Sequence, residues 1–172
     1  WAGSYDMSDW HYDWQNSVPK DNQEVMLTLG DIKHRADVLI GRTVTEFQRS
    51  DISSKAFSDR NNFYFNLGYK VIWVFDFREQ FASGRLRCEA DRKTFHWTKP
   101  RNTFNLYEIM TGQVELFFQI EDDGENALVK IANVSPSGFE QFTVSNWFSK
   151  DQFLKYLGIY NGCCAAPNHE DL

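Results

Sequence analysis

Residues 71–75 read VIWVF, five apolar side chains in succession with no polar break. A strand buried on one face alternates apolar with polar residues, so an unbroken run of strand length predicts a strand covered on both faces. Covering both faces requires helices on either side of a sheet, which points to an α/β domain. The run is far short of the roughly 20 residues that span a bilayer. A soluble chain with no membrane partner is therefore expected. Its 172 residues, 42% hydrophobic and with no low-complexity tract, suit one domain over 1–172, with a core in 4–76 and a C-terminal extension in 77–172.

The chain around the run orders itself into elements. Residues 4–16 carry Trp10 and Trp14 at helical spacing after a Ser/Asp-rich start, and Pro19 closes them off, so they predict a short helix. Residues 24–29 (EVMLTL), 34–40 (HRADVLI) and 43–48 (TVTEFQ) predict three strands. The turn signals Gly30-Asp31 and Gly41-Arg42 between them make the three an antiparallel meander. A helix capped by Ser50 or Ser53 and ended by Gly68 leads into the VIWVF strand. Beyond Asp76 the expectation is a β-rich extension: hairpins over 85–89 with 94–98 and over 113–120 with 127–134, then a closing helix over 149–157. Trp73, Phe75, Phe117 and Phe118 are read as core.

Two carboxylates stand where carboxylates are costly. Asp37 lies inside an apolar strand, and Glu46 lies inside the next one across a tight reversal. Same-face residues of neighbouring strands approach within about 5 Å, so the pair can hold one divalent cation. Oxygen ligands of this kind suit Mg2+ or Mn2+, with water and substrate phosphate filling the remaining positions. Gln48, two residues after Glu46, points to the same face, where its amide can orient a water or contact a phosphate. The alternative is structural: either carboxylate can pair with Lys33, Arg35 or Arg42 on an exposed sheet face.

Several separated motifs occur in one order: SDWHYDWQNSVP, HRADVLI, TVTEFQRSDIS and RNNFYFNLGYKVIWVFDF. In these, over roughly residues 4–76, the chain resembles the competence protein CoiA-like family of the PD-(D/E)XK nuclease superfamily. The resemblance implies a restriction-endonuclease-like core (helix, three-strand meander, helix, strand) and metal-dependent phosphodiester hydrolysis. It makes Asp37 and Glu46 the metal ligands and puts Gln48 in the place of the superfamily's lysine. It further implies that Glu24, His11, Gln15, Ser50, Arg60 and Tyr64 surround the site. Met7 stands where the family often has Glu, with Asp6 and Asp9 as the nearest acids. Taken without the resemblance, His11 beside two tryptophans reads as a hydrogen-bonded core residue, and Arg60 as an ion-pair partner of Asp51.

The net charge is −6, which argues against a protein that coats a polyanion, so local clustering has to supply any affinity for DNA. The densest cationic stretch holds Arg85, Arg87, Arg92, Lys93 and Lys99, interleaved with Phe95 and Trp97. It is either a solvated hairpin or a nucleic-acid arm, with cations on phosphates and Trp97 available for stacking. Arg35, close to Asp37, joins the nucleic-acid-binding set.

Three cysteines, Cys88, Cys163 and Cys164, give no disulfide framework, which favours a reducing cytoplasmic setting. The Cys163-Cys164 pair near His169 and Glu170 lacks zinc-like spacing. The chain begins at Trp1 with no leader and reads as a fragment. The function expected is a divalent-metal-dependent DNA endonuclease in prokaryotic DNA processing, competence or defence. The alternatives are an inactive nuclease-fold DNA-binding module and a partner-docking protein, with a homodimer or larger complex left open.

Overall fold

The computed structural model describes residues 9–104, 106–160 and 163–164. Helix α1 (Asp9–Asn16) buries Trp10 and Trp14 on one face. Met7 and Asp6 of the first motif, and His169 and Glu170 near the cysteine pair, lie outside the described residues. Strands β1 (Gln23–Leu29), β2 (Ile32–Ile40) and β3 (Thr43–Gln48) form the expected antiparallel meander. Gly41 turns the second reversal at φ 56°, a left-handed conformation that favours glycine. Of the two candidate caps for α2 (Ser54–Asn66), Ser53 is the one that accepts the Ala56 N–H.

Strand β4 (Lys70–Asp76) lies between β3 and β7 and runs parallel to both, with all five residues of VIWVF buried. Alternation divides the run between two cores. Trp73 and Phe75 pack with Phe57, Tyr64 and Phe118 under α2. Ile72 and Val74 pack with Trp10, Trp14, Phe47 and Phe153 under α1 and the last helix. The continuous apolar signal thus reflects a strand with a packed layer on each side.

After α3 (Arg78–Ala82) come the hairpin β5 (Leu86–Cys88) and β6 (Thr94–Trp97), then α4 (Leu106–Met110), β7 (Val114–Gln119), β8 (Leu128–Ser135), β9 (Gly138–Phe148) and α5 (Lys150–Tyr156). Ser149 caps α5 in a reciprocal capping box with Gln152. Nine strands make one sheet in the order β1-β2-β3-β4-β7-β8-β9-β6-β5, so the sheet continues without a break across residue 76. The eleven-residue strand β9 was not anticipated. It connects the two expected hairpins through β8 on one side and β6 on the other.

The sheet does not stay open. Two strands separate β6 from β7 in the order, yet the Trp97 ring lies 6.0 Å from Phe118 on β7 and 4.8 Å from Phe77 just after β4. Three register shifts between β8 and β9 bend the sheet so that its far end folds back over the α2-side core. This corrects the reading of the basic hairpin. Phe95 and Trp97 are buried core residues, and Trp97 meets the surface only where it lines a cavity with Arg85 and Lys99. The arginines and lysines alternate outward while the aromatics turn in.

Candidate active site at the Asp37 and Glu46 carboxylates

The site begins with a break in the regularity of β2. Residues two apart on a strand share a face, yet Ala36 packs in the core under α2 and Val38 in the core under α1. The strand therefore turns over at Asp37. The register of β1 with β2 sets Glu24 opposite Asp37, and Glu24 has a left-handed φ of 48°, so the irregularity spans both strands. Pairing between β2 and β3 stops at Val38 with Thr45. One step further on, Asp37 replaces the missing ladder bond, its Oδ2 accepting the Phe47 N–H at 2.8 Å.

Glu46 lies in the same opened interval and is 1% exposed. Helix α2 covers it with two residues one turn apart: Tyr64 donates its hydroxyl to Oε1, and Arg60 Nη1 donates to Oε2 at 3.0 Å. The Arg60 guanidinium also lies 5.6 Å from the centre of the Trp73 ring. Burial, and then the neighbouring Asp37 carboxylate, push the Glu46 pKa up to about 8, against the opposing pull of Arg60 and the Tyr64 hydrogen bond. Burial and the Glu46 charge push the Tyr64 hydroxyl upward as well, keeping it a donor.

Helix α1 brings two more side chains. His11 Nε2 lies 3.1 Å from Asp37 Oδ1 and 3.2 Å from the Gln15 amide nitrogen, with both residues buried. The position of α1 is fixed by a residue the sequence reading did not single out. Gln119, fully buried at the end of β7, accepts the indole N–H of Trp10 at 2.7 Å and of Trp14 at 2.9 Å on one oxygen. Phe47 stacks on Trp14 with ring centres 5.2 Å apart. Gln119 sits outside every motif; its only sequence signal is a polar side chain ending an apolar strand.

The fold therefore gathers Asp37, Glu46, His11, Gln15, Arg60 and Tyr64 at one locus. Gln48 ends β3 beside them, its amide donating to the Ser50 carbonyl at 2.9 Å and hydroxyl at 3.0 Å. Glu24 is at the rim, ion-paired with Arg35 at 3.6 Å and partly exposed. The hairpin residues are elsewhere. Arg85 pairs with Glu79 at 3.0 Å, and the Arg92 guanidinium lies 4.7 Å from the centre of the Trp147 ring and donates to Asn126. Arg87 and Lys93 are exposed.

Among the described residues, no group of three or more His, Cys, Asp or Glu side chains is arranged to hold a metal ion. The donor set is two carboxylates where the ladder opens, near enough that the Asp37 charge acts on Glu46. Such a set fits a hard cation such as Mg2+, which takes one or two carboxylates and fills the rest of its shell with water and phosphate. It does not fit zinc, which prefers three or four His and Cys ligands.

No helix among the described residues is long and apolar enough to cross a membrane. A family model described as competence protein CoiA, nuclease-like domain, matches residues 12–152 of the chain. No curated protein and no solved structure matches it.

Proposed function

The chain belongs to the family of CoiA nuclease-like domains, which supports a nuclease-related role in competence; from that premise we propose that it is a divalent-metal-dependent endonuclease that hydrolyses DNA phosphodiester bonds. Its setting is prokaryotic DNA processing, competence or defence against foreign DNA, in the cytoplasm. The observation that carries the reading is the pair Asp37 and Glu46, set together where β2 and β3 part, with Gln48 next on the same strand.

Asp37 and Glu46 hold Mg2+ or Mn2+. When bound, the cation lowers the pKa of a coordinated water and offsets phosphate charge in the transition state. The chain's own groups do the rest. Arg60, now on Glu46, is long enough to turn its guanidinium to a phosphate oxygen of a bound strand. Gln48 is a neutral amide and no base; it orients the attacking water or the scissile phosphate. His11 fixes the Asp37 carboxylate, and Tyr64 keeps a donor on Glu46.

A second reading has one observation in its favour: both Glu46 oxygens are already engaged, by Tyr64 and Arg60. On that reading the domain grips DNA without cutting it. Incubation of circular and linear DNA with magnesium, manganese or chelator, for the native chain and Glu46→Ala, separates the two. The expected result is metal-dependent cutting of both substrates by the native chain alone. An inert native chain with either metal, or a fully active Glu46→Ala variant, overturns the nuclease reading.

A further inference from the structure

A trough runs along the carboxyl ends of the parallel strands β3, β4 and β7, where open sheets commonly bind ligands. One cavity of about 610 Å³ and another of about 340 Å³ share Arg49, Arg78 and Asp122. The second shares Gln80 and Arg101 with a third, of about 420 Å³, which reaches Arg85 and Lys99. Arg49 directly follows Gln48, so the trough starts beside the candidate active site. The back-folded end of the sheet forms its far wall, and this brings Arg85 and Lys99 alongside Asp51 in the segment after β3.

Its cations are held in fixed positions. Arg78 donates to Asp76 through Nε and Nη2, each at 2.8 Å, and also reaches Asp122. Arg101 pairs with Asp51 at 2.8 Å, and its guanidinium lies 5.2 Å from the centre of the Phe77 ring. Gln80 breaks the pattern. It lines both of the smaller cavities, it is 8% exposed, and its Oε1 is buried with no hydrogen-bond partner among the described residues. Buried carbonyl oxygens are normally paired, and leaving one unpaired is costly. An acceptor cannot be satisfied by a phosphate, which brings only acceptors; it requires an N–H or O–H.

Arginines for phosphates and one buried amide oxygen asking for a donor together describe a nucleotide. We propose that Gln80 reads a nucleobase of the strand passing through this trough, accepting a hydrogen bond from a base amino group, with adenine favoured. Glutamine meets adenine with both amide atoms, the oxygen on N6 and the nitrogen on N7. Arg49 and Arg101 on either side take the flanking phosphates. Across the three cavities seven carboxylates line the trough against six cations, so affinity leans on the base contact. The inference rests on the nuclease reading, and it gives that site a preference among sequences.

The test measures binding in chelator, where no cutting occurs, using fluorescein-labelled single-stranded oligodeoxyadenylate and oligothymidylate with the native chain, Gln80→Leu and Arg101→Ala. The native chain is expected to bind the adenine strand roughly tenfold more tightly. Gln80→Leu should lose that preference while melting no lower than the native chain, because the leucine leaves no unpaired acceptor. Arg101→Ala should weaken both strands alike. Equal binding of the two strands by the native chain, binding of neither, or an undiminished preference in Gln80→Leu overturns the proposal. A parallel cleavage assay with magnesium keeps the two readings apart. Cutting without base preference leaves the nuclease reading standing and removes this one, whereas preference without cutting does the reverse.

Discussion

Replacing Glu46 by glutamine should change how the stability of the fold depends on pH, by an amount the site itself sets. In the folded chain Glu46 takes up its proton at about pH 8, against 4.5 for a carboxyl in water. Between those two values the unfolded chain has released a proton that the folded chain keeps. Stability contributed by this proton is fully present below pH 4.5 and is lost as pH rises through 8. The slope is ~1.4 kcal/mol per pH unit, and across the window the loss is on the order of 5 kcal/mol. Urea denaturation in chelator, followed at several pH values, reads it directly. The native chain should lose stability steadily toward alkaline pH, and Glu46→Gln, which carries no proton to lose, should stay nearly level. Magnesium should restore the native chain above pH 8 and leave the variant unchanged, since the cation occupies the charge that burial penalises. Parallel pH profiles for the two chains in chelator would refute the account of Glu46, and equal magnesium effects would refute its role as a ligand.

Gln48→Lys should retain cleavage while Gln48→Ala slows it strongly, as steady-state assays on one DNA substrate would report; a dead lysine variant beside an active alanine variant removes the equivalence drawn for this position. Gln119→Leu leaves two buried indole N–H groups without an acceptor, and denaturation should show a loss on the order of 3 kcal/mol, with cleavage falling as α1 and His11 lose their seat. Neutralising Arg85 and Lys99 together should flatten the salt dependence of DNA binding by roughly two counterions, with little change in turnover at saturating DNA. The same change at Arg87 and Lys93 should have a smaller effect on the slope, because neither lines the trough.

The parts of this fold that were legible in the sequence are those coded by neighbours along the chain. The meander is written in alternation and two turn signals. The cap at Ser53 and the stop at Gly68 bound α2, and the unbroken VIWVF run announces a strand with a layer on each side. The candidate site was legible because Asp37 and Glu46 interrupt apolar strands, an expense that needs a reason. What stayed hidden depends on partners distant in sequence. Strand β9, GFEQFTVSNWF, mixes polar and aromatic residues without a clean period because bulges reset its register against β8. The burial of Trp97 follows from the bend those bulges create, and composition alone made it look like a surface aromatic among cations. Gln119 is marked only by its place at the end of an apolar strand, and Gln80 carries no local mark; each becomes informative when its buried oxygen is asked where its hydrogen bond goes.

The clamp that Gln119 places on α1 also orders events in time. The two hydrogen bonds join residues 109 and 105 positions apart in the chain. During synthesis α1 emerges first, but its seat on β7 is not made until most of the described sheet has been translated. Until then His11 and Gln15 have no fixed relation to Asp37, even though the meander carrying Asp37 and Glu46 can pair locally as soon as it is exposed. A nascent or truncated chain ending before β7 would therefore carry both carboxylates and yet lack the assembled centre. A domain wired in this way cannot assemble its candidate centre piecemeal on the ribosome, and the centre waits for β7 to be translated.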